Sequence, residues 1–291
     1  MDSAEINRIK AQFQAGQWPQ FLEMVQINGL RGWSGQSVVF NFPVVAIVGE
    51  NGTGKSTLLK CAASAYEGPE GSKTYYPSIF FLDTHWDKVS GVTLNFRVRQ
   101  GAEFKNVRIA KPTKRWSFPE ARRPKRRVFL FDVSRTLPLD AAAGYARVAK
   151  LAASEVSAIE IQEPFLERLS HVLGRNYVKA RFAYSDADQN REVGVLQREF
   201  GEISQFHQGA GEDATLDLVR ALQDIPDHSL LVIDEIEASL HPRAQRRLVR
   251  FILWLARTKK LQVILSKDEG LRLMRAAADA EDATDKAAIS P

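Results

Sequence analysis

The sequence predicts an α/β fold built around a parallel sheet, and three segments carry that expectation. The apolar run Val44-Val45-Ala46-Ile47-Val48 leads into Gly49-Glu50-Asn51-Gly52-Thr53-Gly54-Lys55-Ser56-Thr57 and on into Leu58-Leu59-Lys60. That is G-x-x-x-x-G-K-[ST] placed between a strand and a helix. Ser229-Leu230-Leu231-Val232-Ile233-Asp234-Glu235 is a continuous apolar strand ending in two carboxylates, as a buried parallel strand reads. A helix over 242–257, with Leu248, Phe251, Ile252 and Leu255 at helical spacing, then precedes the apolar strand Leu261–Leu265.

The first segment predicts a phosphate-binding loop. Glycines let the backbone turn so that successive N–H groups face one anion, and the following helix aims its positive end at the same phosphates. Lys55 is placed to reach the β- and γ-phosphates, and the Ser56 hydroxyl to ligand Mg²⁺. At the end of the acidic strand, Asp234 is placed to hold Mg²⁺ directly or through water. Glu235 is placed to polarise an attacking water, general-base help worth about 10²–10⁴ in rate.

In chain order, residues 1–20 read as an N-terminal helix. Phe21–Ile27 and Ser37–Phe42 read as strands joined by a turn-rich connection over 28–35. After the loop and a helix over 55–65, strands are expected at Ser78–Leu82, Thr93–Arg99, Val107–Ile109 and Arg127–Val133. These fill a first part spanning 21–138. Residues 139–225 read as a mainly helical insertion, for example Ala152–Ile161 and Pro164–Leu173, broken around Tyr184–Gln189. The core resumes over 226–266, and 267–291 is a tail with a short helix over Glu269–Ala278.

Composition sets bounds on this reading. At 44% apolar and 26% charged residues the chain is an ordinary globular sequence. No apolar stretch approaches a membrane span, and Met1-Asp2-Ser3-Ala4-Glu5 does not resemble a secretory leader. The single cysteine, Cys61, reads as a packed side chain in a reducing compartment, so a cytoplasmic location is expected. The net charge of +5 is local. Lys111, Lys114, Arg115, Arg122, Arg123, Lys125, Arg126 and Arg127 face Glu120 alone within residues 111–127, so the remainder is net negative. With Trp116 and Phe118 interleaved, this run suits a nucleic-acid backbone, and it equally suits a solvated loop or an acidic partner.

The inserted part closes on Phe206-His207-Gln208-Gly209-Ala210-Gly211-Glu212-Asp213, glycines opening a helix just before the acidic strand. This is either a second phosphate-facing helix start, which makes sense if it caps the nucleotide of another subunit, or an ordinary cap. Arg31 and Trp33 either lie over the nucleotide base or ribose, or form a surface turn with a half-buried Trp.

Over roughly residues 21–266 the chain resembles the ABC-type P-loop ATPases, in the soluble group with SMC, RecF and the overcoming-lysogenisation-defect (OLD) proteins. The resemblance rests on Gly49–Thr57, on Gly209-Ala210-Gly211-Glu212 as the signature motif, and on Ile233-Asp234-Glu235. Ile236-Glu237-Ala238-Ser239-Leu240-His241-Pro242 looks like the D-loop of the bacterial anti-phage branch (OLD-like, Septu- or retron-associated), and Tyr76–Asp87 resembles the same branch. The resemblance implies a P-loop NTPase with two lobes, dimerising head to tail around two ATP molecules. Gln100 would be the glutamine coupling the lobes. Two departures stand out. Gly209 falls where the signature serine belongs, and the strand 261–265 runs into Ser266-Lys267-Asp268-Glu269 where a Thr-His pair would supply the switch histidine.

The function this implies is an ATP-binding and ATP-hydrolysing subunit whose dimerisation, with or without higher assembly, controls a separate effector or nuclease in anti-phage defence. Two alternatives stay open. One is a non-hydrolysing ATP-dependent scaffold, favoured by the missing histidine; the other is a RecF/SMC-like DNA-repair ATPase. A membrane-transporter subunit is disfavoured by the long insertion and the D-loop.

Overall fold

Helix α1 (Ser3–Gln14) leads into a hairpin of β1 (Gln20–Leu30) and β2 (Trp33–Val39). The computed structural model describes residues 3–118, 123–136, 139, 144–236 and 238–267. The expected helix over Glu269–Ala278, Glu120 and Arg122 of the basic run, and Glu237 of the D-loop lie outside the described residues. The chain divides into two units, one of residues 1–131, 226–236 and 252–291, the other of 132–225 and 237–251.

In the first unit the hairpin is tighter than the 28–35 connection suggests. Leu30 pairs with Trp33, and the two residues between them, Arg31 and Gly32, have φ of 47° and 84°. Positive φ at both central positions is the primed turn that matches strand twist. After β3 (Val44–Val48), α2 (Lys55–Ala63) and the single turn α3 (Pro77–Phe80) come β4 (Val92–Gln100), β5 (Glu103–Lys111) and β6 (Val128–Phe131). The strand expected at Ser78–Leu82 is therefore a helical turn, opened by Pro77 in its first turn.

Strands β2-β1-β4-β5 form an antiparallel sheet in that order. Val92, Leu94, Phe96 and Val98 are buried at alternate positions, on the same face as Leu22, Val25 and Ile27 of β1. The opposite face carries Gln26, Asn28, Thr93, Asn95 and Arg108 around an open polar hollow of about 500 Å³. One greasy and one wet face is how an antiparallel sheet is expected to read.

The second unit contains α4 (Tyr145–Leu151), β7 (Glu155–Glu160), α5 (Phe165–Leu173), β8 (Lys179–Ser185), β9 (Asp188–Arg198), β10 (Gly201–Ser204) and α6 (Ala210–Gln223). The strands pair antiparallel in the order β10-β9-β8-β7. The helix expected at Ala152–Ile161 is thus the edge strand β7. The Asp/Ser cluster near 184–189 is a hairpin turn between β8 and β9, and Asp186 there accepts the N–H groups of Ala153 (3.0 Å) and Ser154 (3.2 Å). Helix α5 forms where periodicity predicts it, with Phe165, Leu169 and Val172 buried.

The chain returns to the first unit with β11 (Leu230–Ile233), and α7 (Pro242–Lys259) and β12 (Gln262–Lys267) follow. Strands β3-β12-β11-β6 make a sheet in which every neighbour is parallel. All four residues of β11 are fully buried, which explains its unbroken apolar sequence. Gln262 clips the two sheets of this unit together. Its amide donates to Leu22 O (2.8 Å) and accepts from Leu22 N–H (2.8 Å), an imitation of a ladder pair.

The basic run is partly interior. Arg126 donates to Gln262 Oε1 (2.9 Å), Tyr66 Oη (3.1 Å) and the carbonyls of His228 (2.8 Å) and Ser229 (3.3 Å). Arg123 donates to the carbonyls of Ser64, Tyr66 and Tyr75, and Lys111 pairs with Asp83 at 2.6 Å. All three cations are buried, and burial pushes the Arg123 and Arg126 guanidinium groups below their usual range. Among the described residues of the run, Lys114, Arg115, Lys125 and Arg127 are exposed. Among the described residues no helix is long and apolar enough to cross a membrane.

Candidate functional site

The parallel sheet of the first unit brings two of the expected motifs to one edge. Val48, the last residue of β3, pairs with Lys267, and Ile233, the last residue of β11, pairs with Leu265. Residues 49–57 and the pair Asp234-Glu235 therefore both leave the sheet at the carboxyl ends of parallel strands, where ligands sit in open α/β sheets.

The loop Gly49–Gly54 curls tightly. Thr53 donates its amide (3.4 Å) and hydroxyl (2.8 Å) to Glu50 O, and Gly52 and Gly54 have φ of 83° and 90°. Gly54 is the N-cap of α2 and offers no side-chain cap to the first-turn amides. The Lys55 ammonium donates to the carbonyls of Gly49 (2.9 Å) and Glu50 (3.0 Å), folded across the loop. Lys55 and Thr57 are buried, and Asn51 and Ser56 complete the segment. Close approach also constrains two glycines. A Cβ on Gly49 would lie 2.9 Å from Thr53 Oγ1, and one on Gly54 would lie 2.5 Å from Trp33 Nε1.

That second distance fixes Trp33 against the loop, on the sequence-predicted turn. Arg31, on the same turn, points its guanidinium at the Phe81 ring, 5.4 Å from the centroid. Cys61 on α2 is fully buried, and burial pushes its thiol up, as a packed side chain requires. Gln100 ends β4 and pairs with Glu103 across the next hairpin. In the Tyr76–Asp87 segment Phe81 is buried while Trp86 is 90% exposed.

At the acidic strand end Asp234 is buried, and its amide donates to Phe131 O at 2.7 Å. Its Oδ1 accepts the Ser266 hydroxyl at 2.5 Å. Glu235 is half-buried with φ of 50°, a left-handed conformation uncommon for a residue with a Cβ. Its amide donates to Ser266 Oγ at 2.8 Å. Sequence reasoning missed Ser266, which registered there only as a departure from a Thr-His pair.

Gly209–Glu212 belong to the second unit. Gly209 is the N-cap of α6 with φ −73°, and its carbonyl accepts the amides of Glu212 (2.9 Å) and Asp213 (3.0 Å). Ala210 opens the helix. A Cβ on Gly211 would collide with the Ser239 carbonyl, so the start of α6 packs on the 238–242 turn, where Ser239 has φ 65°. The Glu212 carboxylate is held by Tyr177 and Arg198. Space around Gly209 is open to 4 Å. Gly209→Ser should therefore fold normally, and its hydroxyl can cap α6, raising stability by a few tenths of a kcal/mol; a lowered thermal midpoint would contradict the open geometry.

Helix α6 also carries a titratable pair. Gln205 donates one amide to both Asp213 Oδ1 and Asp217 Oδ1, each at 2.6 Å. Burial, reinforced by the neighbouring Asp213 charge, pushes Asp217 up to about 7. A carboxyl raised in the folded state binds its proton more tightly there than in the unfolded chain. Its contribution to stability is complete below about pH 4 and is lost as pH rises through about 7, with a slope of at most about 1.4 kcal/mol per pH unit. Denaturant midpoints of wild type should fall between pH 5 and pH 8, and Asp217→Asn should flatten that fall.

Two family models match this chain. One, described as "AAA domain", covers residues 24–122, and another, described as "AAA domain, putative AbiEii toxin, Type IV TA system", covers 205–266. Each model covers less than half of the chain; with the architecture above, they accord with an α/β P-loop ATPase fold. The chain is 32% identical over 106 residues to DNA repair protein RAD50 of Drosophila melanogaster, a match covering 32% of this chain and 8% of that protein. Among solved structures, the recombination mediator protein RecF with ATP aligns at TM-score 0.50 and 9% identity, over 88% of this chain and 94% of that one. The SMC head domain from Thermotoga maritima aligns at TM-score 0.46 and 15% identity, over 89% and 92%.

Proposed function

We propose that this chain is an ATP-binding and ATP-hydrolysing subunit whose nucleotide-dependent dimerisation controls a separate effector or nuclease protein, in bacterial anti-phage defence. The observation that carries the reading is the shared edge of one parallel sheet, where the phosphate loop and Asp234-Glu235 emerge together. The residues present fit a magnesium nucleotide. Gly49 and Gly54 have no room for a Cβ beside Thr53 and Trp33, so the loop presents bare backbone at both positions. Among the described residues no cluster of three or more His, Cys, Asp or Glu side chains could hold a metal by itself. Mg²⁺ suits such a site, since it takes one or two protein oxygens and completes its shell with phosphate and water. Ser56 and Asp234 would hold it, and the ion would neutralise charge on the transferring phosphoryl group. Lys55 would leave the loop carbonyls for the phosphates, and Glu235 would orient water.

In the same reading, 21–138 with 226–266 form the nucleotide lobe. Residues 139–225 form a lobe whose Gly209–Glu212 helix start caps the ATP of a second protomer. Trp33 would then border the nucleotide beside Gly54. The effector role draws support from the toxin-system description of the model over 205–266. Equilibrium binding of ATP to wild type and Lys55→Ala tests the site, and equal affinity in the two proteins would reject it.

A second reading, a DNA-repair ATPase, is favoured by the RAD50 match and by the RecF likeness. With Lys111, Arg123 and Arg126 buried, the exposed cations Lys114, Arg115, Lys125 and Arg127 would make any phosphate contact from this run. Salt-sensitive duplex binding that stimulates turnover, weakened by replacing those four, would support this reading over the effector role.

A further inference from the structure

We propose that Ser266 is a positioning residue of the nucleotide site, which fixes the Asp234 carboxylate for its cation and sets the backbone from which Glu235 projects. The inference rests on the magnesium-nucleotide reading above. Strand β12 ends one residue beyond Ser266, beside β11, and the pairing of Ile233 with Leu265 makes Asp234 and Ser266 neighbours as both strands finish. Ser266 is fully buried, and its hydroxyl and carbonyl are both committed. Its hydroxyl proton goes to Asp234 Oδ1 (2.5 Å), its oxygen accepts the Glu235 amide (2.8 Å), and its carbonyl accepts the Ile236 amide (3.2 Å).

One hydroxyl thus binds both acidic residues, one through its side chain and one through its backbone. A hydroxyl has one proton to give and lone pairs to receive, and this geometry uses both capacities. A carboxylate anchored through one oxygen presents the other in a fixed direction, which is how neighbours of a metal ligand set its geometry. Glu235 at φ 50° is in a left-handed conformation that a residue with a Cβ seldom adopts. Such a conformation persists only where surrounding bonds over-determine it, and the Ser266–Glu235 and Ser266–Ile236 bonds flank it on both sides. Ser266→Ala would leave a buried Asp234 carboxylate oxygen and the Glu235 amide without this partner.

The test is equilibrium binding of a fluorescent non-hydrolysable ATP analogue to the full chain, titrated with Mg²⁺ and repeated in EDTA. Wild type, Ser266→Ala and Ser266→Thr are compared, with and without Asp234→Asn. Ser266→Ala should raise the Mg²⁺ midpoint by about 10–100-fold while leaving metal-free affinity unchanged. Ser266→Thr, which keeps the hydroxyl, should recover most of the loss, and the alanine effect should vanish in the Asp234→Asn background. If Ser266→Ala does not fold, Ser266→Cys, a weak donor of similar size, is read the same way. An unchanged Mg²⁺ midpoint, or an equal loss of affinity in EDTA, would overturn the role of Ser266 alone. Absence of Mg²⁺-dependent binding in wild type would instead overturn the magnesium-nucleotide reading, and this inference with it.

Discussion

Glu235→Gln should lower ATP turnover by about 10²–10⁴, a barrier increase of about 3–5 kcal/mol, while leaving ATP affinity nearly intact. The substitution keeps the shape of the side chain and the Glu235 backbone bond to Ser266 Oγ. It removes only the carboxylate that would orient and deprotonate water. If dimerisation is driven by bound ATP, a subunit that binds and cannot hydrolyse should accumulate as the ATP-bound dimer. Steady-state phosphate release and nucleotide affinity, measured on the same preparation, separate the two effects. Turnover unchanged in Glu235→Gln would remove this residue from the chemistry.

Gly54→Ala should abolish nucleotide binding, for two reasons that can be separated. At φ 90° an L-residue is strained, and its Cβ would lie 2.5 Å from Trp33 Nε1. The left-handed term costs about 1–2 kcal/mol, and the collision must displace either the indole or the loop that carries the first-turn amides of α2. Loss of the phosphate cradle should reduce ATP affinity by two orders of magnitude or more, since each charge-assisted bond is worth about 1.5–3 kcal/mol. Pairing Gly54→Ala with Trp33→Ala removes the collision and keeps the strain. Partial recovery in the double variant would assign part of the defect to the indole, and no recovery would assign it to the backbone.

What the sequence made legible follows from how local each signal is. The glycine-rich loop before α2, β11 and α7 were readable because glycines, an unbroken apolar run and a helical apolar stripe are written in adjacent residues. The second unit was less readable at its edge strand β7, which gains little from burial. Five of the six residues of β7 are exposed, so Val156, Ala158 and Ile159 do not report a buried face. The hairpin between β8 and β9 turns on Asp186 and Ala187, residues that interrupt a helix pattern just as well.

The buried cations show a different obstacle. Arg126 is one of eight positive charges in a short run, yet its partners come from Tyr66, His228, Ser229 and Gln262. No local pattern separates it from exposed Lys125. Ser266 is hidden for the same reason. Its importance is a matter of register between β11 and β12, strands that α7 separates in sequence, and a serine at a strand end carries no signal of that pairing. The convergence of the glycine loop and Asp234-Glu235 on one end of a parallel sheet was therefore legible, and the contacts that hold them were not.

ATP turnover by wild type, Lys55→Ala and Glu235→Gln, with the mass of each species determined with and without ATP, tests the central claim most directly. The account predicts turnover by wild type that is lost in both variants, no ATP-induced change of mass in Lys55→Ala, and an ATP-dependent dimer in Glu235→Gln. Wild type that binds ATP in a fixed assembly, with turnover no higher than that of Lys55→Ala, would contradict it and make the chain a nucleotide-stabilised scaffold.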